Sequence, residues 1–353
     1  MFNAIPEGSS SSQDSEYDQL IGQTDEHINV DDQSSSHTSS PQSKTKKTEG
    51  IKWKRHTFDS IDLPESTLKP IPYFVNLSRK TPLDVFEYFM DITLLLKIAT
   101  ESNKYKDQKG YQIPDISEEE IQKFIVVLVY MSIIRLPRRR MYWSKSTKQT
   151  IISSVFTRNR FEEILLILHF NDNQNEPSKT DISYDRLFKI RPLINHFNRK
   201  FQSAVVPEEI NSINEKIIPH KGSSSLKRYL SSKPHKWGYK IYSRTGKSSY
   251  LYQFEIEGDN QTTTVHPDVG AASNVVIRLT QNIPPNSFVC YDNYFATMKL
   301  MKFLHDKQYH VISTIRVNRF NSSLLKSDKK LKQEGKGSFD FQTADDDHFV
   351  ITK

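Results

Sequence analysis

Apolar residues recur every three or four positions through the middle of the chain and alternate with polar ones further on, so the chain reads as helices followed by strands. Thr81-Pro82-Leu83-Asp84 supplies a cap and a proline for a first helical turn, with Leu83, Phe86, Phe89 and Met90 along one side. Ser117 followed by Glu120 is a capping box that opens onto Ile121, Phe124, Ile125, Leu128 and Val129; Pro137 is expected to end that helix. Another helix starts near Thr157 and carries Phe161, Ile164, Leu165 and Leu168. A fourth spans 184–197, broken or kinked near Pro192. Residues 71–205 are therefore mostly helical, with apolar faces enough for one core.

Near Glu208 the period changes to two. Ile210, Ser212, Asn214 and Lys216 alternate with Asn211, Ile213, Glu215 and Ile217, which predicts a strand. Strands at 239–242 and 250–256 follow, with Arg244-Thr245-Gly246 as the hairpin turn. Then come a helix at 271–280, a strand at 287–291, a helix at 298–305 and a strand at 310–317. Three antiparallel strands with parallel additions through crossover helices form the pattern of a ribonuclease H-like fold. Residues 318–336 are polar and lysine-rich, and Phe339, Phe341, Phe349 and Ile351 suggest a further β-ribbon.

Charge is distributed unevenly. Residues 1–43 hold no Lys or Arg, eight acidic residues and eleven serines. So polar a segment buries too little apolar surface to offset its ordering entropy and is expected to be disordered. The whole chain carries +7, so the part after this arm carries +7 − (−8) = +15, a charge suited to a polyanion such as nucleic acid. The basic cluster Lys44, Lys46, Lys47, Lys52, Lys54 and Arg55 reads as a nuclear localisation signal. One cysteine, Cys290, excludes an intrachain disulfide and a cysteine zinc cluster. No run approaches the ~18 apolar residues that span a bilayer, so no membrane partner is expected.

Several segments, in order, resemble the piggyBac transposases and their transposable-element-derived relatives. They are Leu136-Pro137-Arg138-Arg139-Arg140-Met141-Tyr142-Trp143; Arg158-Asn159-Arg160-Phe161 with Leu168-His169-Phe170 and Asp172-Asn173; Leu187-Phe188-Lys189-Ile190-Arg191-Pro192-Leu193-Ile194; Lys233-Pro234-His235-Lys236-Trp237-Gly238-Tyr239-Lys240; and Val289-Cys290-Tyr291-Asp292-Asn293-Tyr294-Phe295. The resemblance implies a multidomain α plus α/β chain. An arm (1–65) precedes a helical dimerisation and DNA-binding domain (66–207). A ribonuclease H-like, DDE transposase-type core (208–317) then leads into a β-rich insertion (318–353) within which the chain is cut short. In active members aspartates hold two Mg²⁺ ions, because in-line displacement at phosphorus needs one oxygen activated and another stabilised.

Carried over by position, the first metal-binding aspartate falls on Asn214, in Asn214-Glu215-Lys216-Ile217-Ile218-Pro219-His220-Lys221-Gly222. A neutral amide points one carbonyl oxygen at a metal without neutralising it. Glu215 lies on the opposite strand face and is not expected to substitute. The second aspartate falls on Asp292, for which a turn or cap role is the alternative. The third is expected beyond Lys353, as is a cysteine-rich zinc domain. No metal or other cofactor is therefore expected in the chain as given.

Two basic groups are candidate phosphate contacts: Arg138, Arg139 and Arg140 (with Arg135, Lys145 and Lys148), and Lys227, Arg228, Lys233, Lys236 and Lys240 (with Lys221). A solvated face with aromatic packing is the alternative for the arginines. Asp345-Asp346-Asp347-His348 reads as a hairpin turn rather than a metal site, and His169 as a satisfied edge-of-core histidine. The resulting expectation is a nuclear, homodimeric, duplex-DNA-binding protein without transposition chemistry, able to associate with related transposases. Three alternatives stay open: a truncated product of an active transposase that cleaves and transfers strands with metal, a non-catalytic repressor subunit, and a decayed copy.

Overall fold

The computed structural model describes residues 52–55, 81–231, 233–259, 264–316, 319, 325–344 and 348–353. The acidic arm, residues 44–47 of the basic cluster, and residues 345–347 of the acidic run lie outside them.

After the short strand β1 (Trp53–Lys54), the described chain enters helices. α1 (Pro82–Phe89) begins at Thr81, whose hydroxyl accepts from the Asp84 amide at 3.2 Å while the Asp84 carboxylate accepts from the Thr81 amide at 2.7 Å. α2 (Ile92–Lys109) is capped by Asp91 and closed by Gly110 at φ 69°, a conformation glycine adopts without strain. Periodicity did not reveal α2, because its buried side chains (Leu94, Leu95, Ile98, Ala99, Ser102) crowd into its first turns and charged residues fill the rest. α3 (Glu118–Ile133) starts with the expected Ser117 capping box. It ends at Ile133, four residues short of Pro137, as Ile134 turns extended. α4 (Thr150–Val155) and α5 (Arg158–Ile167) complete the first core, in which Ile121, Phe124, Ile152, Phe161, Ile164 and Ile167 are buried. Arg160 ties α5 to the start of α3, donating to Glu120 at 2.9 and 2.8 Å and to the carbonyls of Pro114 and Asp115.

The helix expected over 184–197 starts later and runs further. A 3₁₀ turn (Phe188–Ile190) precedes α6 (Arg191–Ala204), and Pro192 sits in its first turn. A first-turn amide has no intrahelical partner to lose, so the proline starts this helix instead of kinking it.

The principal sheet contains β2 (Ile210–Pro219), β3 (Lys227–Tyr229), β4 (Trp237–Gly246), β5 (Leu251–Ile256), β6 (Phe288–Tyr291) and β7 (His310–Ser313). β4 runs antiparallel to β2 on one side and to both β3 and β5 on the other. β6 lies parallel to β2, and β7 parallel to β6. Strand directions follow the sequence expectation of antiparallel strands with parallel additions, but β3 is a fourth antiparallel strand that was not expected. α7 (Ala271–Thr280) and α8 (Met298–Asp306) pack Val276, Leu279, Leu300 and Leu304 against Ile213, Val289 and Tyr291 on one sheet face. Ile241, Phe254 and Ile256, on the opposite face, meet Leu187 and Ile194.

The hairpin turn expected at Arg244–Gly246 lies later: β4 continues through Gly246, and the chain reverses at residues 247–249, with Ser249 at φ 69°. The reason is a latch. The buried Glu208 carboxylate accepts from the Ser248 amide at 2.9 Å and from the hydroxyls of Ser248 and Tyr252 at 2.7 and 3.2 Å. Arg244 is wholly buried in β4, donates to Asn211 Oδ1 at 3.2 Å and lies over the Tyr252 ring; burial pulls its guanidinium down to about 10. The strand expected at 310–317 stops at Ser313, and Val317 lies outside the described residues. The lysine-rich stretch contains the short helix α9 (Asp328–Glu334). β8 (Phe341–Ala344) and β9 (Val350–Thr352) form the expected ribbon, extended by β1 into a three-stranded sheet among the described residues.

Candidate functional site

The parallel register of β2 and β6 pairs Ile213 with Tyr291 as its last step. Asn214 follows midway along β2 and Asp292 just past β6, so the register brings the two candidates side by side where β6 ends. Alternation turns both away from the face that holds Ile213 and Tyr291. Asn214 is exposed, and its Oδ1 accepts from the Glu215 amide at 2.8 Å. Asp292 is half-buried, and its Oδ1 accepts from the Tyr294 amide at 2.7 Å, an Asx turn that sends the chain back over the sheet.

That turn is held from two directions. Arg319 Nη1 donates to the carbonyls of Asn293, Tyr294 and Ala296 at 2.8, 3.0 and 2.9 Å, and Arg316 Nε to Asn293 Oδ1 at 3.2 Å. From below, the Lys240 ammonium lies 4.0 Å from the Tyr294 ring centroid and 4.9 Å from that of Tyr242. Arg319 escaped sequence reasoning because it sits in a polar stretch without any period.

Glu215 is on the opposite face, as alternation predicts. Its carboxylate meets Lys233 Nζ at 3.2 Å, and the side chain is 13% exposed. The cation set implied by the resemblance does not fit these donors. One carboxylate and one neutral amide meet here, and among the described residues no three His, Cys, Asp or Glu side chains converge.

The basic residues divide by environment. Arg138, Arg139 and Arg140 are exposed, as are Arg135, Lys145 and Lys148. They ride on a 3₁₀ turn (Arg139–Tyr142) fixed from inside. The buried Tyr142 hydroxyl donates to the Ile134 carbonyl at 2.5 Å and accepts from the Leu136 amide at 3.1 Å. Trp143 Nε1 donates to the Phe156 carbonyl at 2.8 Å. Among the described residues no carboxylate forms an ion pair with Arg138, Arg139 or Arg140. In the second group Lys236 is exposed, while Lys227 and Arg228 are half-buried, Arg228 lying 3.5 Å from Glu257. Lys233 is engaged by Glu215, as above. Lys240 departs from the expectation: it is 6% exposed, turned under Tyr294 and 3.7 Å from Glu257, so its charge is engaged inside the fold and not at a phosphate. His169 is a packing residue, stacked on Tyr105 at 3.5 Å; burial lowers its pKa.

A family model described as Transposase IS4 matches residues 81–352. The human PiggyBac transposable element-derived protein 2 is 30% identical over 279 residues, covering 77% of this chain and 46% of that protein. The chain belongs to the piggyBac family of transposases. The human PiggyBac transposable element-derived protein 3 is 27% identical over 298 residues, covering 82% of this chain and 49% of its own. This piggyBac family chain thus spans about half the length of the curated relatives it matches. Its fold resembles a cryo-EM structure of a piggyBac transposase synaptic complex with hairpin DNA, with a TM-score of 0.64 at 18% identity, over 80% of this chain and 63% of that one.

Proposed function

We propose that this chain is a piggyBac transposase-derived protein that binds duplex DNA in the nucleus and does not cut it. The observation that carries the reading is the β2–β6 register, which sets a neutral amide beside Asp292 where paired carboxylates would be required. Two divalent ions leave one carboxylate with more positive charge than it can balance. Glu215 offers no replacement, since Lys233 holds it on the other face.

For binding, the support is the exposed arginine turn. Arg138, Arg139 and Arg140 present guanidinium groups that no carboxylate pairs with among the described residues, on a backbone already fixed by Tyr142 and Trp143, so little ordering entropy opposes phosphate contact. Lys227, Arg228 and Lys236 add positive charge at the Pro219 end of the β2–β4 pair. A homodimer is supported by α3, whose Val129 and Ile133 are 51% and 71% exposed, an apolar face suited to a partner. The DNA-bound state of the structural relative agrees with this reading.

A salt-titrated gel shift on duplex DNA tests binding. Affinity is expected to fall steeply with salt. Changing Arg138, Arg139 and Arg140 to Ala is expected to flatten the slope by about one for every phosphate the variant no longer neutralises. Salt-independent binding, or none, refutes this part. Incubation with nicked and hairpin DNA in Mg²⁺ or Mn²⁺ tests the chemistry. No cleavage is expected, and metal-dependent nicking that disappears in Asp292→Ala refutes the loss of catalysis.

A further inference from the structure

The β3–β4 ribbon holds two large aromatic rings in the open. Tyr229 and Trp237 are cross-strand partners, with ring centroids 4.9 Å apart, and they are 51% and 53% exposed. Rings of this size ordinarily bury their faces, so a side-by-side pair left half in water marks a contact surface.

The surroundings specify its chemistry. Lys227 Nζ lies 5.1 Å from the Trp237 ring centroid and donates to the carbonyls of Lys221 and Gly222 at 3.2 and 3.0 Å, which keeps it beside the rings. Lys221, His235 and Lys236 are exposed around it. Among the described residues no carboxylate pairs with Lys221, Lys227 or Lys236. An acidic or apolar peptide would use the charge or the rings. An unpaired nucleotide uses both, its phosphate meeting lysine and its base lying on an aromatic face. In a duplex those base faces are already stacked. Alternation puts Trp237 on the sheet face of Tyr239, Ile241 and Ser243, and Ser243 is the register partner of Asn214. The rings thus lie roughly 20 Å along β4 from Asn214, on its own face.

We propose that Tyr229 and Trp237 form a stacking platform for unpaired DNA bases, an inference that rests on the DNA-binding reading above. The platform takes any base, because every base offers a π-face, and it requires the strand to be open at that point.

The experiment measures anisotropy of the full chain with a labelled thymine oligonucleotide and with a mixed-sequence duplex at one salt concentration. Tyr229→Ala and Trp237→Ala are each expected to weaken single-strand binding by about tenfold, leaving duplex affinity within about twofold. Trp237→Phe keeps an aromatic face and is expected to recover most of the loss. Quenching of tryptophan emission by the oligonucleotide is expected in the parent and absent in Trp237→Ala. Equal losses on both DNAs, or unchanged single-strand binding, overturn the platform. A parent that binds duplex but no single strand overturns the platform alone; one that binds neither overturns the DNA-binding reading as well.

Discussion

Arg191 grips Asp259 with a two-pronged bridge, Nη1 to Oδ2 at 2.8 Å and Nη2 to Oδ1 at 2.7 Å, while its Nε and Nη2 hold Asp185 at 2.7 and 2.8 Å. One guanidinium therefore clamps the chain leaving β5 to the start of α6. Both carboxylates are nearly buried and the arginine is one-fifth exposed.

Arg191→Ala removes the fork that joins two nearly buried carboxylates, and about 3 kcal/mol of stability is expected to be lost. Arg191→Lys restores charge but not the fork, so it is expected to recover only part. Urea denaturation of both variants checks the order.

Asp172 is expected to contribute to acid stability. Hydrogen bonds from Lys104 and Gln108, then from the Gln174 amide, hold its carboxyl at about 2. That lies below the usual unfolded value near 3.9, so the folded state binds fewer protons there, and the stability present above about pH 4 disappears as pH falls towards 2. Asp172→Asn is expected to flatten the acid limb of a melting-temperature profile between those limits while lowering stability at neutral pH.

Tyr142→Phe removes one oxygen from the arginine turn. The Leu136 amide and the Ile134 carbonyl lose a shared partner, which is expected to cost about 1–3 kcal/mol. Duplex affinity is expected to fall although no charge has changed, because the turn bearing Arg138–Arg140 loosens. Unchanged affinity in a gel shift, with the stability loss confirmed, would show that the turn needs no such support.

Gly238→Ala tests how tightly β4 lies on β2. A methyl group there would sit 2.0 Å from the Ile218 carbonyl oxygen, so the strands must part. Destabilisation of at least about 1–3 kcal/mol is expected by thermal melting, larger than for Gly110→Ala, where the added carbon meets nothing within 4 Å and only the positive φ resists.

Much of this fold was legible in the residues. Capping hydroxyls marked helix starts at Thr81, Ser117 and Thr157 because a cap acts within one turn and needs no tertiary partner. α7 follows its apolar spacing from Ala271 to Thr280. Failures arose where distant contacts decide local form. Gly246 read as a turn glycine but stays in β4, because Glu208 fills the space its side chain would occupy. Lys240 read as a phosphate contact because sequence shows its charge but not the Tyr294 ring above it. Alternation alone placed Asn214 and Glu215 on opposite faces; it could not tell that Lys233 would occupy the latter.

The pairing of Asn214 with Asp292 also bears on how the sheet rests. Two carboxylates at adjacent strand ends repel, and proteins that keep them there depend on a cation or a captured proton to hold the ends together. Here the amide contributes no charge, so the two strands are expected to need no such guest. The melting temperature of the chain should therefore be indifferent to chelators and to added divalent ions, giving a scaffold that is at rest when empty.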